Sequence, residues 1–218
     1  MRRLSRADAL ADLRTGSTFM QQTLSTGFPR FLRLFHDFFA KISVHTDTLY
    51  TQHSQSPETI ITLRSISHFE SLYLARATAR LNEAASTALA GVARGNPPTP
   101  ADGVTVARAY ANELDAARFD PLLVRAVAKV VGTAVDGLAK RVEGLVVKDR
   151  NATTLVGPQA SAQQVMNAQL VSFMCVCETR LVKLQEEYPE QTSLIFAPAV
   201  KASNTCMRLL LLTDRYRT

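Results

Sequence analysis

Residues that carry chemistry are scarce in this chain, and none of them cluster. Of 218 residues, three are cysteine and four are histidine. Cys175, Cys177 and Cys206 are an odd number with no framework spacing, which excludes a disulfide scaffold and fits a reducing compartment. Cys175 and Cys177 form a C-x-C pair, but residues two apart on a helix point about 200° away from each other and cannot share a metal. They read as small apolar fillers; a nucleophilic role needs a thiol that titrates well below its ordinary value. His36, His45, His53 and His68 are isolated imidazoles and read as surface or satisfied polar groups rather than as ligands or proton carriers. Glu113 and Asp115 fall on different faces of a helix and read as solvated. There is no glycine-rich phosphate loop and no G-x-S-x-G elbow. The expectation is therefore a protein that is not an enzyme, with no cofactor, no metal and no small-molecule ligand.

Long apolar runs are missing too. Leu209 to Leu212 is only four residues, against the roughly 20 needed to cross a bilayer. Charge is not blocked: 25 basic and 19 acidic residues, net +6, are spread along the chain, so attraction to anionic partners is weak. No basic run is interleaved with aromatics, so nucleic acid is not an expected partner. Met1 to Arg6 is arginine-rich, but Asp8 and Asp12 follow at once and argue against an organelle presequence. No prenylation box closes the chain. Asn151-Ala152-Thr153 matches a glycosylation acceptor, yet without a signal peptide it is not expected to meet the transferase.

What the chain does have is helical periodicity. Eight of the nine prolines, at 29, 57, 97, 98, 100, 121, 158 and 189, lie at the edges of periodic runs. Only Pro198 interrupts one, and it is where the last segment, Glu190 to Tyr216, is expected to kink or break. Ser56 supplies a cap and Pro57 the first position of a long helix to Val92. Its apolar residues Leu63, Ile66, Phe69, Tyr73, Ala77, Leu81, Ala84, Ala88 and Val92 recur at a mean spacing of about 3.6. The run Phe28 to Leu49, with Leu32, Phe35, Phe39, Ile42 and Leu49 on one face, is its expected antiparallel partner, joined through the polar link His53 to Ser56.

Gly95 to Pro100 reads as a stiff extended loop, followed by a short helix from Val104 to Arg118. Asp120 caps the next helix, with Pro121 first in it and a stripe of Val127, Val131, Ala134, Leu138, Val142 and Leu145. Leu145 to Val147 and Thr153 to Val156 are alternatively a small hairpin. Ser161 to Tyr188 is a helix with Met166, Leu170, Phe173, Cys177, Leu181, Leu184 and Tyr188 on one face, stopped by Pro189. The fold expected is all-α: an antiparallel helical bundle, or an elongated helical rod, of six to seven helices. Residues 1–27 are expected to be weakly ordered N-terminal helices, and 28–218 one helical domain that would subdivide at the 94–103 loop.

Several segments, in order, resemble the middle portion of subunit 5 of the conserved oligomeric Golgi complex. They are Phe28-Pro29-Arg30-Phe31-Leu32-Arg33-Leu34-Phe35-His36-Asp37, then Phe69-Glu70 with Tyr73 to Leu81, then Arg94-Gly95-Asn96-Pro97-Pro98 with Glu113-Leu114 and Asp120. The last are Ala152, Val156-Gly157-Pro158 and Gln164-Val165-Met166-Asn167. That family's subunit is several times longer, so this chain would be a fragment, a split gene product or a much reduced subunit.

The resemblance implies a noncatalytic part of a tether that captures vesicles in retrograde traffic within the Golgi, peripheral on the cytosolic face of its membranes. Subunits 6, 7 and 8 are the implied partners. The family's contact to subunit 7 involves C-terminal parts largely absent here. The alternative, from charge alone, is a stand-alone basic helical adaptor binding an anionic membrane surface or nucleic acid, with affinity that collapses as salt rises.

Arg208 with Leu209, Leu210, Leu211 and Leu212 is the candidate partner-binding stripe, because four successive leucines exceed what one helix face hides. Otherwise these leucines close the core. Leu210→Asp with Leu211→Asp is expected to release a helical partner while circular dichroism and the melting transition stay intact; global unfolding of the variant would assign the leucines to the core instead.

Overall fold

A computed structural model describes residues 18–46, 56–148, 161–188, 193 and 195–204. Every regular element among them is helical, and the chain is all-α as its periodicity requires. The chain divides into two compact units, Met1–Arg76 and Ala77–Thr218.

In the first unit, residues 18–26 form α1, followed by α2 (Phe28–Ser43) and the opening of α3 (Pro57–Leu89). Pro29 sits in the first turn of α2, as expected, where its missing N–H costs nothing. The helix ends at Ser43, earlier than the sequence suggests, and Leu49 and His53 lie outside the described residues. Phe28, Leu32 and Phe39 are buried, while Phe35 and Ile42 are only half-buried. The Phe28 ring stacks on Tyr73 of α3 with centroids 6.0 Å apart. The start of one helix thus meets a later part of the next, the order an antiparallel pair requires. Arg76 adds a polar tie, donating to the Gln22 carbonyl at 2.9 Å and to the Thr26 hydroxyl.

At the start of α3 the Ser56 hydroxyl accepts from the Thr59 N–H at 3.4 Å, a long cap bond. The residues that α3 buries are Thr59, Ile66, Tyr73, Ala77, Leu81 and Ala85. Leu63, Phe69, Ala84 and Ala88, on the same stripe by sequence, are half-buried.

The second unit holds the remainder of α3, a short 3₁₀ turn Val92–Arg94, α4 (Pro100–Ala117), α5 (Pro121–Leu145), α6 (Ala162–Glu187) and α7, helical over 195–204. Gly95 closes the 3₁₀ turn at φ 81°, a left-handed conformation that side chains resist. The helix α4 begins four residues earlier than Val104. Thr99 and Asp102 form a capping box and Pro100 stands in the first turn, so the end of the expected extended loop is a helix start. The Thr99 main-chain N–H and hydroxyl hold the Asp102 carboxyl below its ordinary value.

Asp120 caps α5 through N–H bonds from Leu122 and Leu123, both 2.8 Å. Val127, Val131, Ala134, Leu138 and Val142 are buried as expected, but so are Leu123, Val124, Ala128, Gly132, Val135 and Ala139. The helix is therefore covered on more than its stripe. Gly132 brings it against α7, within van der Waals reach of Ile195 and Ala199.

Leu145 is helical, and Val147 gives both main-chain groups to the Asn167 side-chain amide, at 3.1 and 2.9 Å. Those bonds replace the ladder a hairpin strand would use; residues 153–156 lie outside the described residues. A second capping box, Ser161 with Gln164, opens α6. It buries Leu170, Phe173, Cys177, Leu181 and Leu184, with Met174 and Glu178 beside them, while Met166 and Tyr188 stay half-buried. Pro198 neither ends nor breaks α7, since the residues on both sides of it are helical.

In this unit α4 and α6 approach closely at Gly103. A Cβ at Gly103 would lie 2.8 Å from the Phe173 carbonyl oxygen. Gly103→Ala is therefore expected to lower stability by about 1–3 kcal/mol, because the neighbour is backbone and has to shift. At Gly137, where a Cβ meets nothing within 4 Å, Gly→Ala is expected to raise it by about 0.4–1 kcal/mol. Urea midpoints of the two variants should move in opposite directions; a shift of the same sign in both would contradict the close packing.

Candidate interaction surfaces

The residues capable of chemistry are distributed, and Cys177, Glu113, Asp115 and Tyr188 are occupied in holding helices together. Cys177 is buried and its thiol donates to the Gly103 carbonyl at 3.2 Å, across the close approach of α4 and α6. Burial pushes this thiol up to about 12. Cys175, on the opposite side of the helix, is exposed. The pair diverges as the helix geometry demands, and burial holds the Cys177 thiol away from its reactive thiolate form. His45 and His68 are exposed and His36 is half-buried. Among the described residues no group of three His, Cys, Asp or Glu is placed to hold a metal ion.

Glu113 corrects the expectation that it is simply solvated, while Asp115 is exposed as expected. The Glu113 carboxylate takes a two-pronged bond from Arg80, Nε at 2.6 Å and a terminal nitrogen at 2.9 Å. Its side chain is 12% exposed against 46% for the arginine, so the carboxylate is the inner partner. This joins α3 to α4 in one orientation, since a guanidinium meets a carboxylate along two parallel bonds. Asp115 accepts from the Tyr188 hydroxyl at 2.8 Å, tying the end of α6 to α4. Burial and that carboxylate raise the Tyr188 hydroxyl above its usual value. Neither pair was legible in the sequence, because the partners stand far apart along the chain.

Two surface features among the described residues bear on interaction. One is a groove between α4 and α6 of about 260 Å³, floored by Val104, Ala107 and Leu184 and rimmed by Arg108, Arg180 and Lys183. It falls below the roughly 300–1,000 Å³ of ordinary small-molecule sites, and Asp115 and Glu187 on its wall offset most of the positive charge. The other is the outer edge of α2, where Leu34 and Phe38 are 61% and 55% exposed. Arg208 and Leu209 to Leu212 lie outside the described residues.

Conserved oligomeric Golgi complex subunit 5 of Arabidopsis thaliana is 22% identical over 191 residues, which is 86% of this chain. The chain spans 23% of the length of that protein. No family profile and no solved structure matches the chain. The relationship is thus distant but runs through both compact units. Among the described residues no helix is long and apolar enough to cross a membrane.

The Cys177 thiol supplies a pH test of the α4–α6 contact. Its native value, raised to about 12, lies above the roughly 8.5 of an unfolded thiol, so the stability it contributes is complete below that lower value and is lost as pH climbs toward 12. In a chain carrying Cys175→Ser and Cys206→Ser, the remaining thiol should resist alkylation at pH 8 until denaturant is added. Fast native labelling would show that α6 opens from α4.

Proposed function

We propose that this chain is a noncatalytic structural component of the conserved oligomeric Golgi tethering complex, acting in retrograde vesicle traffic within the Golgi. The similarity to subunit 5, spanning 86% of the chain, carries this reading. The fold supports it: an all-α chain whose polar pairs join helix to helix works by presenting helical surfaces at fixed spacing. Its partners are the other subunits of that complex, with 6, 7 and 8 foremost, and its place is the cytosolic face of Golgi membranes as a peripheral protein. Arg208 with Leu209 to Leu212 is the stripe we assign to a helical partner. Residues 28–218 act as the tethering domain.

The test is affinity purification of the tagged chain from its own cells at physiological salt, followed by mass spectrometry. Other subunits of the complex are expected to follow it, and the association should not change between low and physiological salt. A folded, soluble chain that brings down none of them would overturn the proposal.

A further inference from the structure

The helix α2 carries five phenylalanines, more than its partners cover. Phe28, Leu32 and Phe39 turn inward, and Phe31 and Phe35 are half-buried beside them. The apolar arc then continues past the covered edge to Phe38 and Leu34, which face solvent. At 100° per residue, Arg30, Leu34, Phe38 and Lys41 succeed one another at intervals of four, four and three, so they form a single ridge. All four are exposed. The Phe38 ring is braced from behind by Phe35 and Phe39, at centroid distances of 6.5 and 5.6 Å, which fixes it outward.

An apolar edge with a cation at each end selects its partner by charge. The helix has three basic residues, Arg30, Arg33 and Lys41, against one acidic residue, Asp37. Exposed aromatic and leucine side chains flanked by basic ones are the pattern of an interfacial helix, whose apolar groups enter the acyl boundary while its cations stay at the headgroups. Shape narrows the choice further. The ridge is convex and its apolar part is two side chains wide, too small for the roughly 1,200 Å² of a stable protein interface, whereas a bilayer surface accepts a convex edge without a matching groove.

We infer that the Arg30–Leu34–Phe38–Lys41 ridge of α2 is a shallow docking site for an anionic lipid surface. It rests on the peripheral-membrane part of the tether reading and names the side chains responsible. Two cations and two apolar groups give weak, reversible binding, which becomes useful where a multisubunit assembly holds several such contacts at once.

The chain has no tryptophan, so Phe38→Trp in the full chain is a reporter without background. Its emission should shift to the blue with phosphatidylcholine vesicles containing phosphatidylserine and stay unchanged with phosphatidylcholine alone. In co-sedimentation at physiological salt, Arg30→Gln with Lys41→Gln should weaken binding roughly thirty-fold. Leu34→Ser with Phe38→Ser should weaken it by roughly tenfold or more per side chain, with the helical dichroism retained. Equal affinity for both vesicle types, binding to neither, or unchanged binding in the serine variant would overturn the inference. Should that variant unfold, the tryptophan reporter and the glutamine variant decide alone. A chain that binds these vesicles yet captures no tether subunits would overturn the tether reading and leave the lipid site standing; capture of subunits without vesicle binding would do the reverse.

Discussion

In the larger unit, the packing depends on how closely α4 can approach α6. At Gly103 the two backbones come so close that an added Cβ would lie 2.8 Å from the Phe173 carbonyl oxygen. The gap that remains is filled by sulfur: the Cys177 thiol donates to the Gly103 carbonyl, so the contact is polar as well as tight. Around it, Val106, Ala107 and Tyr110 of α4 and Phe173, Met174 and Leu181 of α6 are almost wholly removed from water. Burying a large apolar side chain stabilises by about 1.5–3 kcal/mol, and small residues at the contact let the large ones beside it be covered completely.

That approach fixes where the polar groups meet. Arg80 on α3 reaches Glu113 on α4, Arg141 on α5 reaches Ser86 on α3 at 2.8 Å, and Tyr188 beyond α6 reaches Asp115 on α4. Each bond runs between helices rather than along one. The apolar core is indifferent to small sliding motions, because dispersion and burial are not directional. Directional bonds at the rim are what set the register.

Among the described residues, Cys177, Glu113, Asp115 and Tyr188 all hold one helix to another. On the outer edge of α2, Leu34 and Phe38 are exposed between Arg30 and Lys41.

That the chain is helical, and where most of its helices begin, follows from residue order alone. Pro29, Pro57 and Pro121 mark first turns, and Asp120 and Ser161 cap as their chemistry requires, because these are interactions among neighbours in the chain. The same rule applied to Thr99 and Pro100 locates α4, although their place among three clustered prolines disguises a helix start as a loop. The main stripes of α5 and α6 were legible too, since burial follows periodicity when one face is covered. Everything that needs two distant segments at once had to wait for the packed chain. That α5 is covered on more than one face, that Val147 is held by Asn167 instead of a strand, and that Glu113 and Asp115 are partnered all depend on residues 20 or more positions away. Local propensity acts within a turn or two of helix, whereas burial and ion pairing act between whatever surfaces the packing brings together.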